Sequence, residues 1–265
     1  MKIKNFYERM FSEGVYARTE HCEHKKALSV IAGKYIKNDD DIVVEIGSGK
    51  GPLQTLFSKR YFALDYSFVA LKKYISTDKR ICANAEHLPL KNESVELLFT
   101  IETLEHVCNP ELAFHEIDRV LKKEGVAYIA PAWHCRSWAS KGIPVRPYEE
   151  LTFKERIIKY LIPLLDSAII QGLTRIPFRI IRRVYSSIIK KPTKLVYRQL
   201  SPNYEIFWMP DSDAACSIDA HEAILYFETR GYLILSHHTL REKIFARYHP
   251  VIIKKTDVIK GNNGL

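Results

Sequence analysis

Ile42-Val43-Val44-Glu45-Ile46-Gly47-Ser48-Gly49-Lys50-Gly51 is the stretch on which the reading of this chain turns. Its first five residues are mostly β-branched and end abruptly, which reads as a buried strand. Three alternating glycines follow at once, and Pro52 to Lys59 reads as a helix. Glycines at such a turn let the backbone approach a ligand, and a helix start offers free N–H groups. The next strand, Tyr61 to Asp65, ends in an acid placed to hold a ribose diol. The third glycine comes one residue early for the dinucleotide pattern Gly-x-Gly-x-x-Gly. Glu45, just before the loop, would repel a pyrophosphate and attract a cation. The pattern therefore disfavours a nicotinamide dinucleotide and favours a nucleoside bearing an amino acid and a sulfonium.

Outward from this turn, strands and helices alternate. A helix is read from Ser67 to Tyr74 and a strand over Arg80–Asn84. Val95–Ile101 reads as a strand, Asn109–Leu121 as a helix and Val126–Ala130 as a fifth strand after the turn Lys122–Gly125. Alternation of this kind implies a doubly wound parallel sheet. It breaks after Trp133. It resumes with a helix from Ile218 to Arg230, capped by Ser217 or Asp219, and strands at Tyr232–Leu235 and His249–Lys254. The expected organisation is a helical segment at 1–40, one α/β domain from 41–133 and 217–256, and a helical insertion at 134–216. Residues 261–265 read as a frayed tail.

The composition fits this picture. The chain has 265 residues, 46% hydrophobic and 27% charged, enough for a sizeable core and unlike a disordered chain. No apolar run reaches the roughly 18 residues of a membrane span, and Met1 to Met10 lacks a signal peptide's apolar stretch. The five cysteines are scattered without a Cys-x-x-Cys pair, so neither a disulfide framework nor a metal site is expected. A reducing cytoplasm is the expected setting. The net charge of +9 is localised: 11 basic and 2 acidic residues fall between Leu151 and Leu200. A basic segment implies an anionic partner or a solvated helix face.

With these motifs in view, the chain resembles the class I S-adenosylmethionine-dependent methyltransferases, in their small-molecule, type 11-like branch. Val43 to Gly51 looks like the family's first motif and Asp65 matches its second. Asn84-Ala85-Glu86-His87-Leu88-Pro89-Leu90 resembles the segment flanking the adenine, with Asn where Asp is usual. Ser94–Thr100 and Leu104–Val107 resemble the fourth-strand motif, and Glu116–Gly125 the segment before the fifth strand, with Lys123 and Glu124 replacing Pro and Gly. The resemblance covers roughly residues 40–132 and, more loosely, 217–255. It implies a Rossmann-like, seven-stranded, mostly parallel sheet whose last strand is antiparallel, with the insertion after the fifth strand. It implies S-adenosyl-L-methionine as cofactor, bordered by Glu45, Gly47, Gly49, Gly51, Asp65, Tyr66, Asn84, Ala85, Glu86 and Ile101.

Methyl transfer needs reactants aligned about 3 Å apart and often a base. His106 and His134 are the expected catalytic bases, with Glu105 a further candidate; Tyr16 and His21 are candidates for a lid. The insertion bears on the acceptor. On a helical projection Arg175, Arg179, Arg182 and Arg183 share one face and Ile176, Ile180, Val184 and Ile188 the opposite one. Pro163 and Pro177 are expected to bend or break these helices. Such a helix resembles an interfacial membrane helix, or a cap with its apolar face on the sheet and its arginines in solvent. Tyr204 to Ala214, rich in aromatics and carboxylates, suits sugar recognition. The expected enzyme is thus an O-methyltransferase acting on a small-molecule, sugar or lipid-linked acceptor. It would be cytoplasmic and peripheral on the inner membrane face, using residues 154–198 on an anionic surface. An RNA methyltransferase docking through the insertion and a non-catalytic membrane-associated adaptor are the alternatives, nucleic acid being the weaker partner. The oligomeric state is left open.

Overall fold

The computed structural model describes residues 2–18, 22–51, 53–57, 60–74 and 79–256, so His21 and the 261–265 tail lie outside the described residues. Strand β1 (Val43–Ile46) is wholly buried and pairs in parallel with β2 (Tyr61–Asp65) on one side and β4 (Val95–Ile101) on the other. β3 (Arg80–Cys82) extends the sheet beyond β2, and β5 (Leu121–Ala130) beyond β4. β6 (Tyr197–Gln199) and β7 (Cys216–Ile218) form a separate antiparallel pair, while β9 (Val251–Lys254) runs antiparallel to β5 and β8 (Leu233–Ile234) forms the edge of the main sheet. The seven strands lie in the order β3-β2-β1-β4-β5-β9-β8. This is the doubly wound, mostly parallel architecture that the alternation implied, with its last strand reversed. The near-continuous apolar runs of β1 and β4 follow from burial on both faces.

Helices cover each face. α4 (Pro110–Val120) starts on Asn109, whose side chain accepts from Leu112 N, with Pro110 in the first turn. It buries Ala113, Phe114, Ile117 and Val120 against α7 (Ala220–Glu228) and the sheet. Asp219 is the cap of α7, accepting from His221 N. Phe114 stacks on Phe227 at 5.3 Å between centroids, an arrangement worth about 0.5–1.5 kcal/mol beyond burial. The other face packs Leu28 and Ile31 of α2 (Cys22–Tyr35) and Leu71 of α3 (Phe68–Tyr74) against the strands.

Two local expectations are corrected. After the glycine turn, the described residues form only a 3-10 turn at Gln54–Leu56, and Leu53 supplies no side-chain cap. Gly51 N donates back to Ser48 O at 2.6 Å, so the loop closes on itself. The prolines of the insertion do not break its helices. α5 (Phe153–Leu165) runs through Pro163, and α6 (Ala168–Ile189) through Pro177. The break falls at Asp166–Ser167, where the two helices bend by 82°. Ser167 there caps α6, accepting from Ile170 N.

The largest departure is the orientation of α6, which is turned arginine face inward. Arg179 is only 2% exposed. Its guanidinium grips Asp219 through two bonds of 3.1 and 2.7 Å and donates to Ile244 O at 2.6 Å. Arg182 pairs with Glu222 at 2.8 Å, and Arg183 with Glu228 at 2.9 Å. The apolar side, including Ile169, Leu173, Ile181 and Ile188, faces outward. The cap expectation, with the apolar side on the sheet and the arginines in solvent, does not describe this helix. The acids of α7 decide it: Asp219, Glu222 and Glu228 supply three carboxylates to its arginines.

Candidate functional site

A cleft of about 700 Å³ opens at the carboxyl ends of β1, β2 and β4. Parallel sheets place ligands there, where the strand order reverses. Gly47 leaves β1 with φ +73°, and a Cβ at this position would stand 2.0 Å from Thr103 Oγ1. Only glycine fits. Gly49, at φ +48°, donates its N–H to Asp65 Oδ2 at 2.7 Å. Asp65 Oδ1 accepts from Ser67 N at 2.8 Å. The acid at the end of β2 thus ties the glycine turn to the start of α3.

The cleft brings together Glu45, Gly47, Gly49, Asp65, Tyr66, Asn84, Ala85, Glu86, Ile101 and His106. Gly51 and His134 do not line it. Asn84 Oδ1 accepts from Glu86 N at 3.0 Å, leaving its amide N–H groups as what it can offer. Glu86 is itself engaged, accepting from Asn109 N at 2.7 Å. Glu45 is buried and accepts from the Tyr61 hydroxyl. Burial pushes its carboxyl up to about 8, against the Tyr61 bond and with help from Asp65. Burial likewise raises Asp65 to about 6, although Ser67 and Gly49 donate to it.

A roof the sequence reading did not identify is α1 (Lys2–Ser12). Glu8 accepts from Phe68 N and Val69 N at 2.8 Å, a carboxylate at the start of α3. Tyr7 and Phe11 line the cleft, and the Phe11 ring lies over Gly49. Their spacing of four residues on one helix face was the available signal. Tyr16, the described lid candidate, also lines the cleft.

The far half of the cleft is acidic and aromatic. Tyr16 and Tyr7 donate to Asp213 Oδ2 at 2.8 and 3.1 Å. His106 Nδ1 stands 3.1 Å from the same oxygen, and Nε2 3.7 Å from Glu105 Oε1. Burial works against an imidazolium here, but Asp213, Glu105 and Asp211 outweigh it and raise His106 to about 10. His106 therefore holds its proton at neutral pH, and its expected role as general base gives way. His134 sits outside the cleft in a left-handed conformation, and burial lowers it to about 3. It stays neutral and does not line the cleft. Burial lifts Glu105 to about 7, countered in part by His106. Phe207, Pro210 and Asp211 of the aromatic loop complete this half, whereas Trp208 packs on Gly142 and Arg146 instead.

Residues 44–129 match a family model described as a methyltransferase domain. An uncharacterized protein of Methanocaldococcus jannaschii is 37% identical over 101 residues, covering 37% of this chain and 44% of that protein. A malonyl-[acyl-carrier protein] O-methyltransferase of a Marinomonas species is 32% identical over 99 residues, 33% of this chain and 37% of its own. The chain spans about half or less of the length of the curated relatives it matches. A crystal structure described as a putative S-adenosyl-L-methionine-dependent methyltransferase of Methanococcus maripaludis covers 97% of this chain and 95% of its own. It is 15% identical, with a TM-score of 0.43.

Proposed function

We propose that this chain, whose residues 44–129 match a model described as a methyltransferase domain, is a class I S-adenosylmethionine-dependent enzyme that methylates a hydroxyl on a small, sugar-like or lipid-linked acceptor. The observation that carries the reading is that this domain's motif residues converge on one cleft whose far half is lined by acids and tyrosines.

The residues present fit the cofactor. Asp65 keeps acceptor capacity for ribose hydroxyls, and the exposed Tyr66 ring is free to flank a base. The Ser48 hydroxyl is buried in the cleft wall without a protein partner, ready for a polar amino-acid group. Glu45 becomes a carboxylate opposite a cation once a cation is there to draw off its proton. When bound, S-adenosylmethionine supplies an electrophilic methyl group. Everything else is the protein's work: holding the acceptor in line, excluding water under α1, and taking a proton. Of the acidic cluster, Glu105 has the proton affinity suited to neutral pH.

Raised acids set a pH dependence with a definite sign. Burial keeps Glu45 mostly protonated below about 8 when no cation faces it. A cationic ligand lowers that value, so binding expels a proton and affinity rises with pH. S-adenosylmethionine should bind several-fold more tightly at pH 8.5 than at pH 6.5, the limit being about tenfold per unit for one proton. Calorimetry in two buffers of different ionisation enthalpy measures the proton released. A flat profile with no proton release would remove Glu45 from the site.

The acceptor half presents carboxylates, which suit hydroxyl or amine donors and oppose a free carboxylate such as a malonyl group. RNA docking through the arginine side of α6 loses its support because Arg179, Arg182 and Arg183 are spent on internal ion pairs. The test is methyl-labelled S-adenosylmethionine offered with a prenyl-phosphate-linked sugar, transfer RNA, or a malonyl-loaded carrier protein. Label should enter the sugar as an ether. Label in RNA or in a malonyl ester would refute the acceptor class, and cofactor binding without turnover on any class would favour the adaptor.

A further inference from the structure

The helix pair α5–α6 has its polarity reversed relative to a helix on a soluble surface. The only charged residues of α6 are Arg175, Arg179, Arg182 and Arg183, and all four lie on the side facing the rest of the protein. Three of them are held in ion pairs with acids of the α7 segment. What remains outward is uncharged and mostly apolar: Ile169, Leu173, Ile180, Ile181, Val184 and Ile188, with Ile169 74% and Ile188 73% exposed. α5 adds a matching stripe of Phe153, Ile157, Tyr160 and Leu164, each at least 45% exposed. These four are spaced three to four residues apart and so share one face. Scattered exposed apolar residues need no explanation, but a continuous uncharged face over two helices does.

We infer that the elbow of α5 and α6 is a monotopic membrane dock, seated in the headgroup and acyl boundary of a lipid bilayer. Among the described residues no single helix is long and apolar enough to cross a membrane, but the bent pair passes that test together. A pair bent by 82° cannot lie along one membrane normal. It can lie in the interface, where a helix needs only one apolar side. An ordinary interfacial helix hydrates its charged side. This one turns that side onto its own domain and neutralises it there, so the dock is a rigid part of the protein.

Charge selects the bilayer over a second copy of the chain. Exposed Lys154 and Arg156 stand at the start of α5, and exposed Lys190, Lys191 and Lys194 just beyond the end of α6. The apolar face is therefore collared by cations at both ends. A two-fold contact between such faces would bring like-charged collars together, whichever way the copies pointed. Lipid phosphates accept both collars while acyl chains accept the face between them. Tyr160 and Tyr185, both exposed, have the amphipathic rings that settle at this depth.

This dock does not depend on the methyl-transfer reading, and one preparation separates the two. Purified full-length protein is floated with vesicles of phosphatidylcholine, alone and mixed with phosphatidylglycerol. The wild type should float with both and more strongly with the anionic mixture. The triple variant Ile169→Glu/Ile181→Glu/Ile188→Glu should lose flotation about tenfold or more. Those side chains face outward, so its melting temperature and S-adenosylmethionine affinity should stay at wild-type values. Lys190→Glu/Lys191→Glu/Lys194→Glu should remove only the gain from phosphatidylglycerol. Wild type left at the bottom of the gradient overturns the dock. So does a dimer that sediments without lipid and falls apart in the isoleucine variant, which would assign the face to a second copy.

Discussion

Asp65→Ala should weaken S-adenosylmethionine binding about 100-fold, because the side chain does two jobs that alanine cannot do. Its carboxylate holds the glycine turn by accepting from Gly49 N at 2.7 Å and the start of α3 by accepting from Ser67 N at 2.8 Å. Asp65 lines the cleft, and each carboxylate oxygen keeps a lone pair to which a ribose would donate. Hydrogen bonds to a charged group are worth about 1.5–3 kcal/mol each, and about 2.7 kcal/mol is a factor of 100 in affinity. Asp65→Asn is the informative companion. An amide offers one acceptor oxygen where the loop and the helix each require one, so its N–H₂ must meet one of those backbone donors. Asparagine should therefore rescue little, despite its shape. Calorimetry on both variants, with circular dichroism to show an intact fold, measures this. A loss under about threefold in the alanine variant, about half a decade or 0.65 kcal/mol, would place the ribose elsewhere.

The cofactor half of this cleft was legible because its signals are local. A β-branched run, a glycine turn and an acid sixteen residues beyond Gly49 are adjacent in the chain and adjacent in the sheet. The helix expected after the turn was not found over the described residues, since apolar spacing there came without a capping side chain. The acceptor half was harder. His106 looks like a base in isolation, but Asp213, more than a hundred residues away, leads the acids that make it an imidazolium, with its neighbour Glu105 and the distant Asp211 adding to the effect. The direction of α6 was the least accessible. Helical periodicity separates an arginine side from an apolar side but is silent on which one faces in. The usual preference puts the apolar side inward, and here carboxylates of the α7 segment reverse it. Those acids recur from Asp219 to Glu228, a spacing that could have matched the arginines only once the two helices were known to touch.

Arg179→Ala should cost about 3–5 kcal/mol of folding stability, the loss found when one partner of a buried ion pair is removed. The guanidinium serves three elements at once. It neutralises Asp219, the residue that caps α7, with two bonds. It also satisfies Ile244 O at the end of α8 (Leu240–Ile244) with a bond of 2.6 Å. Alanine leaves a half-buried carboxylate without its cation, a carbonyl without its donor, and a void under α6. Against a typical stability of about 5–15 kcal/mol this is a large share. At roughly 2–4 °C per kcal/mol for a domain of this size, the melting temperature should fall by about 10 °C. The charge component can be isolated. Asp219→Ser keeps a capping oxygen for His221 N and removes the stranded charge, so Arg179→Leu/Asp219→Ser should recover about half the loss. The exposed apolar face is untouched in all three proteins, and vesicle flotation of the folded double variant should match the wild type. If Arg179→Ala instead melts within about 3 °C of the wild type, less than roughly 1 kcal/mol, the inward pairing of α6 is not what holds the insertion to the domain.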